Sequence, residues 1–297
     1  MGNKKPSTLN TGVQMKRVLL VATILGFGLF PAKADLVLEQ GVFADLGAAG
    51  FGNAPRLLNI QNNGSEAGGS FALPGGGTGF FTGLPAPGLG GLGTICTNNA
   101  TCNNQPQVEV DKTFVYSVGA LGWTSGAKVG IGLDTNETGG TTALTFNSLV
   151  LTLYNSAGVA LANFSGSQPI NISQALLNIQ QGNGNAVFNI GLSPAEQTLF
   201  NNTLIAAGCT IGVACNTVFE GLSASFGTGL PGQVCPGAAI IGGFPSPGGC
   251  FASTDGQESF LAFAQVPGPI VGAGLPGLIA SLLGMVGLNR YRKRRVA

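Results

Sequence analysis

Apolar and polar residues alternate through much of the second half of the chain. Val108–Gly119 places Val108, Val110, Phe114, Tyr116 and Val118 at mostly even spacing, the period of a half-buried strand. Lys128–Leu133 sets Val129, Ile131 and Leu133 on one side, and Leu144–Tyr154 does the same with Leu149, Leu151 and Leu153. Val159–Phe164 follows across Asn155-Ser156-Ala157-Gly158, which reads as a hairpin loop. Ala186–Leu192, Thr217–Phe226 and Glu258–Val266 complete a set of about seven strands. Frequent turn residues and β-branched runs predict a mostly β chain, an antiparallel β-sandwich over residues 106–266.

One or two short helices interrupt this pattern. Ser193-Pro194-Ala195-Glu196 has the residues of a capping box with Pro at the first helical position. Leu199, Phe200, Thr203 and Leu204 follow as its apolar face, and Gly208 is the stop. Ser173–Gln180 is the second candidate. Residues 35–105 read as irregular, broken by Gly75-Gly76-Gly77, Pro85-Ala86-Pro87 and Gly90-Gly91. Only Leu36–Val42 and Arg56–Gln61 suggest strands there.

The two most apolar stretches lie elsewhere. Lys4, Lys5, Lys16 and Arg17 precede the run Val18–Phe30, and Ala32-Lys33-Ala34 fits a small-x-small cleavage site. Residues 1–34 are therefore expected to be a signal peptide cut between Ala34 and Asp35. Residues 270–288 carry no charge, and as a helix they rise about 28 Å, close to the hydrocarbon thickness of a bilayer. Arg290, Arg292, Lys293, Arg294 and Arg295 follow. Cations resist translocation, so a transmembrane helix over 270–288 would leave this basic tail cytoplasmic.

Residues 267–297, together with Val266, resemble the sorting signal of the PEP-CTERM family: a short Pro motif, one hydrophobic helix and an Arg-rich end. Val266-Pro267-Gly268-Pro269 stands at the Pro motif, with Gly268 where that family has Glu. The resemblance implies a bacterial exported protein held in the inner membrane and processed by an exosortase-like enzyme. It also implies final delivery to the cell surface or the exopolysaccharide layer.

Six cysteines fall between the terminal segments: Cys96, Cys102, Cys209, Cys215, Cys235 and Cys250. An even number in an exported chain reads as disulfides. Fifteen pairings are open; the local set Cys96–Cys102, Cys209–Cys215 and Cys235–Cys250 is the expectation. A zinc site, the rival, would need Cys-x2-Cys spacing or histidine, and the chain has neither.

The net charge of +1 conceals a separation. Between the terminal segments stand three bases, Arg56, Lys112 and Lys128, against all twelve acids, a formal charge of about −9. Such a surface lacks the basic footprint of a nucleic-acid binder. The absence of histidine excludes Ser-His-Asp and Cys-His catalysis and His-based zinc centres. No cofactor is expected. The exception to weigh is Asp134-Thr135-Asn136-Glu137-Thr138-Gly139, which follows the first half of a calcium loop. Asp134, Asn136 and Glu137 are its candidate Ca²⁺ ligands. Thr145 occupies the position of the bidentate Glu, and an acidic hairpin turn is the competing reading.

The leading expectation is a non-enzymatic structural or adhesive protein of the envelope or exopolysaccharide. A carbohydrate-binding module is the first alternative, stacking sugars on Trp123 with Tyr116 and Tyr154 nearby. The second is a hydrolase using two of Asp111, Asp134, Glu137 and Glu220. Such a pair would stand about 5 Å or roughly 6.5–9.5 Å apart across a cleft.

Overall fold

The computed structural model describes residues 36–44, 54–82, 94–96, 108–135, 143–166, 169–179, 187–230, 233–241, 244–254 and 256–264. Outside them lie residues 1–34, expected as a signal peptide, the expected cleavage site Ala34–Asp35, and Cys102. Asn136, Glu137, the motif Val266–Pro269, the apolar span 270–288 and the basic tail Arg290–Arg295 lie outside them too.

In chain order the strands are β1 (Leu36–Ala44), β2 (Arg56–Ile60), β3 (Asn63–Ala72), β4 (Thr78–Thr82), β5 (Thr94–Cys96), β6 (Val129–Asp134), β7 (Ala143–Asn155), β8 (Ala160–Ser165) and β9 (Ile170–Ser173). Helix α1 (Gln174–Ile179), β10 (Val187–Leu192), helix α2 (Pro194–Ala206), β11 (Val218–Gly227), β12 (Ala239–Ile241), β13 (Phe244–Ser246), β14 (Ser253–Thr254) and β15 (Glu258–Ala264) follow. One sheet has the order β1-β10-β6-β15-β2. The other runs β5-β4-β3-β11-β7-β8, with β9 added to β7 and β14 to β3. A two-stranded ribbon, β12–β13, stands apart. The pairings are antiparallel.

The two large sheets share one apolar interior. Leu58, Ile131, Leu133 and Phe260 of the first belong to the same buried cluster as Leu149, Leu151, Leu153 and Phe226 of the second. Phe146 stacks on Phe226 at 4.7 Å, and Phe260 from the opposite sheet reaches both rings, at 6.3 and 6.0 Å. Burying a side chain of this size contributes about 1.5–3 kcal/mol. The β-sandwich expectation thus holds as a mostly β architecture of two antiparallel sheets with few helices.

The strands of highest alternation form where expected. β7 buries Leu149, Leu151 and Leu153, and its hairpin to β8 turns on Gly158 at φ +74°. Asn155 closes that turn, its Oδ1 accepting from the amides of Ala157 and Val159 at 3.0 Å each. Helix α2 carries the full capping box: Glu196 N donates to Ser193 Oγ, and Ser193 N donates to Glu196 Oε2. Gly208 leaves the helix at φ +81°. Phe200 and Leu204 face inward, whereas Leu199, expected on that face, is 40% exposed.

Two expectations need correction. Residues 35–105 are not an irregular appendage to a domain starting at 106. They supply β1 and β2 to one sheet and β3, β4 and β5 to the other, and β3 pairs directly with β11. The reason is steric. A Cβ at Gly69 of β3 would lie 2.6 Å from Ser223 Cβ and 2.7 Å from Leu222 O. Here glycine permits an approach that a side chain would block.

Val108–Gly119 is the second. It makes a 3₁₀ turn at Val110–Lys112 and then an extended strap, with a single bridge, Ser117 to Phe219. Its partners are mixed. Glu109 N donates to Asn59 O, and Asn59 N donates to Thr113 Oγ1, so the turn covers the edge of β2. Farther on, β3 has left β11 at Gly69, and the strap takes that edge, with Val118 N donating to Val218 O. The alternation in the sequence is real, but part of the ladder comes from side chains.

Candidate functional site

The chain buries acids. Glu66, Asp134, Glu196, Glu220 and Glu258 are each less than one-tenth exposed, although the sequence offers few cations to accompany them. Ser253 donates to Glu66, and Glu196 serves the cap of α2. Nothing in the period-two pattern flags Glu66 or Glu258 as interior. Their strands become central only through pairings distant in sequence.

Glu220 sits on β11 and is fully buried. Its Oε1 accepts from Tyr116 N at 3.0 Å, and its own amide donates to Tyr116 O at 3.0 Å. The carboxyl therefore replaces a backbone carbonyl in joining strap to strand. Its Oε2 is buried with no hydrogen-bond partner. Burial pushes its pKa up to about 8, opposed by the Tyr116 amide. The phenols beside it respond. Tyr116 is raised by burial and then by Glu220, and Tyr154 is raised by burial, with Glu220 adding to it.

Asp134 ends β6 in the other sheet. Cross-strand neighbours share a face, so Asp134, Ser259 and Asn59 form a row across β6, β15 and β2. Ser259 Oγ donates to Asn59 Oδ1 at 3.2 Å, and Asn59 Nδ2 donates to Glu109 Oε2 at 3.4 Å. Glu109 is paired with Lys112 at 2.6 Å. Asp134 Oδ1 has no hydrogen-bond partner. Burial raises its pKa to about 7, with the Arg56 charge pulling the other way. Asn136 and Glu137, the other candidate Ca²⁺ ligands, are outside the described residues. Among those described, no group of three or more Asp, Glu, Cys or His residues stands where it can hold a metal ion.

The hydrolase candidates do not converge among the described residues. Asp111 is exposed on the 3₁₀ turn, Asp134 belongs to one sheet and Glu220 to the other. Neither buried carboxyl senses the other: Arg56 acts on Asp134 and the Tyr116 amide on Glu220. The stacking platform fares similarly. Trp123 is fully buried, with its indole N–H donating to Phe263 O at 2.9 Å. Tyr154 is buried and Tyr116 half-buried, so the lone tryptophan has no free face for a sugar.

The cysteines behave as the local pairing predicts. Cys209–Cys215 and Cys235–Cys250 are disulfides; the proposed Cys96–Cys102 bridge involves a residue outside those described. Cys209–Cys215 staples the turn after α2. Cys235–Cys250 closes the excursion that carries β12–β13. That excursion is anchored on Asn171, buried in β9. Its Nδ2 donates to Pro247 O at 2.7 Å and to Gly249 O at 2.8 Å, and its backbone oxygen accepts from Ser246 Oγ. Thr145 Oγ1 completes the hub, donating to Asn171 Oδ1 and accepting from Phe251 N, both at 2.7 Å.

A surface groove of about 280 Å³ opens between β8 and α2, lined by Leu161, Asn202, Thr203, Ala206 and Ala207. It contains no ionisable group. Among the described residues, no helix is long and apolar enough to cross a membrane. Comparison of the chain with protein-family models, with curated proteins and with solved structures finds no match in any of the three.

Proposed function

We propose that the chain is an exported bacterial protein with a structural or adhesive role in the cell envelope or exopolysaccharide. The observation that carries this reading is the order of features along residues 266–297. A Pro motif, Val266–Pro269, leads into the uncharged span 270–288 and then the cations Arg290, Arg292, Lys293, Arg294 and Arg295. A basic, then apolar, then small-x-small sequence over residues 1–34 supports the same route. So do the bridges Cys209–Cys215 and Cys235–Cys250, because such bonds persist in oxidising compartments. The buried settings of Trp123, Asp134 and Glu220 favour a scaffold over a sugar-binding or hydrolytic site.

Fractionation of the source cells, followed by mass spectrometry of both ends of the mature protein, tests this. The expected product begins at Asp35 and carries oxidised Cys209–Cys215 and Cys235–Cys250. A membrane-held precursor retains the basic tail, and a surface form ends near Pro267–Pro269. Intact chain in the cytosol with reduced thiols overturns the proposal.

A further inference from the structure

The strap Thr113–Gly119 meets β11 through an unusual joint. Three backbone hydrogen bonds dock it: Val118 N to Val218 O, Gly119 N to Cys215 O, and Glu220 N to Tyr116 O. The fourth, from Tyr116 N, ends on the Glu220 side chain. That carboxyl is fully buried, and one of its oxygens meets no partner. Burial and the Tyr116 amide are what set its titration, and the phenols of Tyr116 on the strap and Tyr154 on β7 are the titratable groups that feel its charge. No cation contributes to its titration; Arg56 acts on Tyr116 and Asp134 instead. An ionised carboxyl in such a place has no compensating charge and only one hydrogen bond, and it regains full hydration only if the strap lifts.

We propose that Glu220 is a protonation latch: uncharged, it holds the strap Thr113–Gly119 on β11, and on losing its proton it loosens the strap. The strap's Val115 forms a small buried cluster with Ala72 and Tyr154 against Phe71 and Phe219, and this cluster is what the strap covers. The sign follows from linkage. The closed carboxyl keeps its proton up to about pH 8, whereas the opened one has an ordinary glutamate pKa near 4.3. Closure is therefore fully favoured below the ordinary value. It weakens as pH rises through the interval between the two and levels off above the closed-state pKa.

Hydrogen exchange on the intact, oxidised protein reads this directly. After correction for intrinsic rates, protection of the Tyr116, Val118 and Gly119 amides is expected to fall about tenfold or more between pH 5 and pH 8. The Leu151 and Leu222 amides serve as the internal reference. In Glu220→Gln, whose amide oxygen still accepts from Tyr116 N but cannot ionise, protection of the strap is expected to be flat across that range. Asp134→Asn is expected to leave the fall in place. A flat wild-type profile overturns the latch. An equal fall in Glu220→Gln does the same, because it hands the effect to another group. If Glu220→Gln does not fold, the ¹³C carboxyl shift of Glu220 in the wild type decides: a midpoint near pH 4 overturns the proposal, and one well above 6 sustains it.

Discussion

Strand β11 has two neighbours made by opposite means. On one side lies β7, whose Leu149, Leu151 and Leu153 project into the interior. On the other lies β3, Asn63–Ala72, with glycine at 64, 68 and 69 and glutamate at 66. β7 is held by what its side chains fill, β3 by what its missing side chains allow. The same sheet thus contains one strand that advertises itself in sequence and one that looks like a linker. The comparison shows that glycine in a strand need not weaken it where the neighbours come too close for a Cβ. At such a point the lost β propensity is smaller than the clash that any substitution would bring.

Three substitutions separate the two modes. Leu151→Ala is expected to have the largest effect. It removes a fully buried side chain beside Leu222 and should cost about 2–5 kcal/mol, read from the shift in a denaturant midpoint. Gly69→Ala comes next, at about 1–3 kcal/mol, because the new Cβ meets backbone at Leu222 O and cannot be relieved by a rotamer change. A loss under ~0.5 kcal/mol there would break the argument that β3 exists by close approach. Gly79→Ala in β4 should be the mildest. The nearest atoms to its Cβ all belong to the ring of half-buried Phe71, so the cost should stay within about 1 kcal/mol. Phe71→Leu in the same chain should recover most of it, whereas Phe81→Leu should not rescue Gly69→Ala.

Legibility followed the same divide. Strands with period-two alternation of large residues, β6, β7, β8, β10, β11 and β15, were readable because their faces differ in polarity. Helix α2 was readable because Ser193, Pro194, Glu196 and Gly208 signal its ends through local chemistry. Strands β3, β4 and β9 were not: β3 is mostly small residues that carry no facial signal, β4 sets Phe80 and Phe81 side by side, and the alternation of β9 spans only four residues. Val108–Gly119 misled in the other direction: its alternation predicted a strand, but side chains supply several of its bonds, with Val115 N donating to Thr78 Oγ1, Tyr116 N to Glu220 Oε1, and Asn59 N to the segment's own Thr113 Oγ1. Of the candidate site residues, the pairs Cys209–Cys215 and Cys235–Cys250 were legible because each is local. The isolation of Asp134 from Glu220 was not, because it depends on which sheet each strand joins.

By itself the sequence determined the elements whose cause is local: periodic strands, a capped helix and a hairpin turn. It also determined the separation of charge, with cations gathered at residues 1–34 and 290–295 and acids between them. The tertiary structure alone decided that glycine-rich residues 63–72 stand at the centre of a sheet. It alone decided that Trp123 is enclosed and that Glu220 lies beneath a strap more than a hundred positions earlier. Those outcomes depend on contacts between distant segments, where burial and close approach outweigh any preference that a residue expresses among its neighbours in the chain.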